Sequence, residues 1–156
     1  MGVAVAAALA AAPSIAAQAT ANLNAEATVV NTCTINGATM NFASLTFQSP
    51  TTTQTANIDF RCTKDLAATI EPQSGANYAA GNAWRLRPAS GPAFVNFTLF
   101  RDDGTTAFEP GSGVAVTGTG NVETLSIKGT VQAFATVDAP AGLYTAIVPL
   151  VITYTP

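Results

Sequence analysis

Apolar and polar side chains alternate along most of this chain with a period of two, the spacing of a strand that buries one face. Residues 54–62 are the clearest case: Ala56, Ile58, Phe60 and Cys62 share one face, while Asn57, Asp59 and Arg61 share the other. Residues 93–101 put Val95, Phe97 and Leu99 together, and the Asp103-Gly104 pair just beyond predicts a hairpin turn. Leu125, Ile127 and Val131 alternate with Thr124, Ser126, Lys128 and Thr130. Further strands are expected at 40–47 and 66–71. Helical spacing is absent, and short strands separated by Gly, Pro, Asn and Asp predict an all-β sandwich.

The two ends of the pattern carry more information. Residues 142–154 read as one long closing strand with Tyr144, Val148, Leu150, Ile152 and Tyr154 on a single face. Pro149 lies inside it and has no backbone N–H, which predicts a sheet edge or a bulge there. A long apolar edge strand left bare invites pairing with another chain. Near the other end, Leu23, Ala25, Ala27 and Val29 alternate with Asn22, Asn24, Glu26 and Thr28 in an arm that precedes Cys33. Two readings of this arm stand side by side. It is either the first strand of its own sandwich or a strand with small inward side chains that reaches a second molecule.

Composition narrows the class. With 156 residues, 48% of them apolar and only 10% charged, the chain has enough material for one domain with a true core and does not resemble a disordered polymer. Nine acidic and six basic residues are scattered along it, giving a net charge of -3 and no basic patch to follow a phosphate backbone. Nucleic acid is not an expected partner.

Residues 1–19 are Ala-rich and uncharged and end in small residues, as a signal peptide does before cleavage after Ala17 or Ala19. The segment lacks the usual basic beginning, so the expected start lies upstream or the leader is shortened. Retained instead as a helix, it would be apolar all round. No later stretch approaches the ~18 to 20 apolar residues that a membrane span requires, so export is expected. An exported chain with two cysteines, Cys33 and Cys62, is expected to close them into a disulfide. The rival reading is a metal site, but no histidine is present to complete a tetrahedral zinc shell.

The same absence removes the usual general base, and the sequence offers little catalytic chemistry. Asp102 and Asp103 precede Gly104 and read as a turn rather than as an acid-base pair or calcium ligands. Gly111, Gly113, Gly118 and Gly120 do not lead from a strand into a helix, so they do not form a phosphate loop. Trp84 beside Arg85 and Arg87 reads as a core residue flanked by solvated cations rather than as a ligand platform. No enzyme activity, cofactor or metal is expected.

Taken in order, several segments resemble the spore coat protein U domain family, which includes the pilins of archaic chaperone-usher pili. They are Val29-Val30-Asn31-Thr32-Cys33, the strand Ile58-Asp59-Phe60-Arg61-Cys62, the run Phe97-Thr98-Leu99-Phe100-Arg101-Asp102, and the ending from Ala141 to Tyr154. The chain departs from the family pattern at Ala146, where Asp is common, and at Phe108-Glu109, where Trp-Gly is common.

The resemblance implies an incomplete immunoglobulin-like β-sandwich, completed by a donor strand from a neighbouring subunit. It implies a domain plan of a signal peptide (1–19), a donor arm (20–32) and a pilin domain (33–156). Leu23, Ala25, Ala27 and Val29 would then be the donor side chains, and Tyr144, Val148, Leu150 and Ile152 would line the acceptor groove. The implied partners are sister pilins, a periplasmic chaperone and an outer-membrane usher, and the implied location is an extracellular pilus supporting attachment and biofilm. The alternatives are a self-contained secreted binding module, in which the arm completes its own fold, and a spore or cyst coat protein.

Overall fold

The structure is a computed structural model, and residues 17–133 and 135–156 are described. Most of the expected leader, residues 1–16, lies outside them.

Ten strands and no helix form among the described residues: β1 (Cys33–Ile35), β2 (Thr52–Cys62), β3 (Ala67–Pro72), β4 (Tyr78–Ala80), β5 (Ala83–Pro88), β6 (Val95–Arg101), β7 (Val114–Thr117), β8 (Glu123–Val131), β9 (Tyr144–Thr145) and β10 (Leu150–Tyr154). They make two antiparallel sheets. The larger follows the order β1-β2-β8-β6-β5-β4, with β9 also on β5, and the smaller follows β10-β3-β7. The fold is an all-β sandwich.

The alternation seen in the sequence becomes the two faces of the larger sheet. Ile58, Phe60, Val95, Phe97, Leu99, Ile127 and Val131 are each at most 5% exposed and meet Ala68 and Ile70 of β3 in one core. Each such side chain taken from water contributes about 1.5–3 kcal/mol. On the outer face the β2–β8 pair is laced by short polar side chains. Thr124 Oγ1 donates to Asp59 Oδ1 (2.8 Å), Ser126 Oγ to Asn57 Oδ1 (2.9 Å), and the hydroxyls of Thr53 and Thr130 lie 3.0 Å apart. These cross-strand pairs hold the register that keeps the apolar set inward.

The expected disulfide is formed between Cys33 and Cys62, which sit directly opposite each other across β1 and β2. Trp84 is fully buried, as a core residue must be, and Arg85 stacks over Phe94 at 4.5 Å. The Asp103-Gly104 turn is also present. Asp103 Oδ1 accepts the N–H groups of Thr105 and Thr106, both at 2.7 Å, and Gly104 takes φ +71°. The Thr106 hydroxyl above all, then these two backbone donors, hold the Asp103 carboxyl well below the usual carboxylate range.

Two expectations are corrected. Residues 40–47 form no strand: Ala43 adopts φ +57°, and its N–H bonds to Asn41 Oδ1 at 2.8 Å, so a local turn displaces the ladder. The closing segment is not one strand but two, on different sheets. β9 pairs with β5 of the larger sheet and β10 with β3 of the smaller, so the chain crosses between the layers over residues 146–149. Pro149 falls in that crossing, where its carbonyl accepts the Gln73 N–H at 2.8 Å and its missing donor costs no ladder bond.

A hairpin the periodicity does not announce joins β4 to β5. Gly81 (φ +55°) and Asn82 (φ +60°) form its two-residue turn between the paired Ala80 and Ala83. Glu109 fastens it from outside, its Oε2 accepting the Asn82 N–H (2.6 Å) and the Tyr78 hydroxyl (3.2 Å). Burial, reinforced by this carboxylate, raises the Tyr78 pKa.

Candidate functional site

Where the closing segment crosses between the sheets, the core is not fully covered. An apolar cleft of about 140 Å³ lies there. The larger sheet contributes Ala56, Ile58, Phe97, Leu99, Ile127 and Leu86; the loop after β1 contributes Ala38, Met40 and Phe42; Phe108 and the closing residues Ala146, Val148 and Leu150 complete the lining. No charged side chain is among them. A cavity of this size matches a few apolar side chains better than a drug-sized ligand, whose site is typically ~300–1,000 Å³.

Beside the cleft runs an unfinished edge. β10 hydrogen-bonds to β3 along one side and has no ladder partner on the other among the described residues. The crossing residues 146–149 likewise belong to no ladder. Unpaired strand groups next to an apolar cleft are what a further strand would satisfy.

The groove residues named from the sequence all lie along this segment. Val148 and Leu150 line the cleft itself. Tyr144 and Ile152 pack against the same core on either side of it, Tyr144 opposite Pro88 and Ile152 opposite Ile70. The Tyr144 hydroxyl donates to the Pro140 carbonyl at 2.8 Å, which holds its end of the segment.

The four arm residues do not touch the cleft. Residues 17–32 form no strand, Leu23 is 95% and Val29 84% exposed, and Ala25 and Ala27 are exposed as well. The arm therefore does not serve as a strand of its own sandwich. Its root is tied down: Thr32 N–H donates to Thr63 Oγ1 (3.0 Å), and the Thr63 hydroxyl reaches the carbonyls of Val30 (3.1 Å) and Thr32 (3.3 Å).

Sequence reasoning missed the opposite wall of the cleft. Met40 and Phe42 were assigned to a strand, yet they lie as a loop folded over Gly129, where a Cβ would collide with the Met40 thioether. The available signal was Gly129 itself, since a glycine inside a strand often marks close approach by another segment. Phe108, at a position where the chain departs from the family pattern, is only 1% exposed and forms part of the lining. Ala146, the other departure, lines it too.

Little else here looks like a site for chemistry. Among the described residues no cluster of three or more His, Cys, Asp or Glu side chains is placed to hold a metal ion. Nor is any helix among them long and apolar enough to cross a membrane.

Comparison with known proteins agrees with the all-β fold. The chain superposes on one chain of the crystal structure of the CsuC-CsuE chaperone-tip adhesion subunit pre-assembly complex from archaic chaperone-usher Csu pili of Acinetobacter baumannii, with a TM-score of 0.56 and 16% identity. The match covers 81% of this chain and 40% of that one, so the likeness is one of fold and spans less than half of the other chain. Sequence comparison with curated proteins returns no match. The Spore Coat Protein U domain model matches residues 19–150, nearly the whole described sandwich together with its arm, and the chain belongs to that family.

Proposed function

We propose that this chain is a structural subunit of an extracellular pilus, exported through the periplasm and polymerised by donor-strand complementation. The arm of one copy, through Leu23, Ala25, Ala27 and Val29, enters the cleft of the next and adds a strand to the free edge of β10. Tyr144, Val148, Leu150 and Ile152 form the receiving side. Before assembly a periplasmic chaperone occupies the same edge, and an outer-membrane usher exchanges it for the arm. The resulting filament supports surface attachment and biofilm, and the chain catalyses no reaction.

One observation carries the reading: an open apolar cleft beside an unpaired strand edge, in a chain whose own alternating arm stands exposed. Each buried backbone group left without a partner costs about 1–3 kcal/mol, and an inserted strand satisfies such groups while covering the cleft. A donor arm and an acceptor cleft are different surfaces, so their contact is heterologous, and where it does not close it builds a filament.

The test compares the chain from residue 20 onward with the same chain lacking residues 20–29, both refolded from denaturant and followed by negative-stain electron microscopy and unboiled SDS gels. The expected result is SDS-resistant multimers and fibres from the first and none from the second. Fibres from both contradict the proposal, and a stable monomer from both identifies a self-contained binding module instead.

A further inference from the structure

We infer that Thr63 is a positioning residue for strand donation: its hydroxyl clasps the root of the arm and aims it away from the subunit's own cleft. The inference rests on the donor-strand reading above and adds to it the reason why an arm beside an empty groove does not fill it.

The arm has the length to do so. From Thr20 to Val29 it spans roughly 33 Å when extended, at about 3.3 Å per residue. The crossing segment and β10, from Ala146 to Tyr154, contain nine residues, one fewer than this part of the arm. The root is also close at hand, because Asn31 Nδ2 donates to the Thr155 carbonyl at 3.3 Å, at the end of β10. A local arm is present at a far higher effective concentration than a neighbour's. Self-insertion would therefore win unless the root opposed it.

Three contacts to one residue oppose it. Thr63 N–H donates to the Thr32 carbonyl (2.9 Å), Thr32 N–H donates to Thr63 Oγ1 (3.0 Å), and the Thr63 hydroxyl faces the Val30 carbonyl (3.1 Å). They extend the β1–β2 pairing past the Cys33–Cys62 disulfide, so the chain continues along the line of β1 through Val30. To reach its own cleft the arm must reverse within residues 30–32, breaking the two bonds of the hydroxyl. It would then run parallel to β10, the less stable ladder. A neighbour's arm meets neither restriction.

Thr63→Val keeps the shape and removes the hydroxyl, and Thr63→Ser restores it. Both are made in the whole chain, produced by export, and again in the chain lacking residues 20–29. Three quantities are read: multimer formation rate, the share of monomer, and backbone amide exchange along β10 in the monomer. For Thr63→Val the expected result is a roughly fivefold slower multimerisation, the equivalent of one net hydrogen bond. The monomer that accumulates exchanges more slowly along β10 because its own arm pairs the free edge, and Thr63→Ser behaves as the parent. In the arm-less chain Thr63→Val leaves exchange along β10 unchanged, which a general loosening of the fold would not do. Parental rates with Thr63→Val, or a monomer whose β10 exchanges as fast as the parent's, overturn the inference. Multimers from the arm-less chain would instead overturn the donor-strand reading on which it stands.

Discussion

The thioether of Met40 occupies the space into which a side chain on Gly129 would project, and Phe42 closes over the same spot. This contact, between a loop and the later part of β8, brings Met40 and Phe42 into the lining that Val148 and Leu150 share.

Gly129→Val is therefore expected to push Met40 into the cleft and narrow it. Overpacking of this kind typically costs 1–3 kcal/mol, and it should appear mainly as lost strand acceptance because Met40 has open space to move into. Mixing assays check it: the variant should still donate its arm to the parent chain while failing to accept one. Normal acceptance would show that Met40 does not bound the acceptor site.

The Cys33–Cys62 disulfide joins the arm's root to β2, with a sequence separation of 29. Replacing both cysteines with serine is expected to cost about 2–4 kcal/mol, read as a lower urea midpoint for the monomer. Fibres that do form should be less resistant to SDS, since β1 holds the donor arm in place.

Acid should act first at the hairpin after β6. Asp103 has a folded pKa below its unfolded value, so its contribution is present above the unfolded value and is lost as pH falls toward the folded one. Below about pH 4, where free aspartate is more than half protonated, the protection of the Thr105 and Thr106 amides relative to their intrinsic exchange rates should fall. Asp103→Asn should show the lower protection already at neutral pH. The strands flanking the turn are expected to keep their protection in both cases.

These residues also mark how far the sequence could be read. β2, β6 and β8 were legible because each buries one face, so Ile58, Phe97 and Ile127 announce their direction by spacing alone. Trp84 was legible as core on other grounds, as a large aromatic flanked by two arginines whose charges stay towards water. The crossing at 146–149 was not, because Ala146, Val148 and Leu150 keep the period of two while the hydrogen-bond partner changes from β5 to β3. Periodicity reports which face is buried and says nothing about which sheet a strand joins. Residues 40–47 misled for a related reason: Met40, Phe42 and Leu45 are apolar because they cover the sheet, not because they belong to it. Phe108 and Leu86 reach the cleft only through tertiary packing, which local pattern does not encode. The arm's alternation was visible, but the exposure of Leu23 and Val29, which sets the arm apart from the strands of the sandwich, is not written in that alternation.

The account turns on one chain's arm entering another chain's cleft, and cysteine cross-linking between two separately labelled populations measures that directly. One population carries Val148→Cys, and the other carries a single cysteine in turn at Leu23, Ala25, Ala27 or Val29. After mixing and mild oxidation, mass spectrometry is expected to find disulfides joining Val148→Cys of one chain to at least one arm position of another, within SDS-resistant multimers. Multimers that form with no such link at any of the four positions would contradict the account.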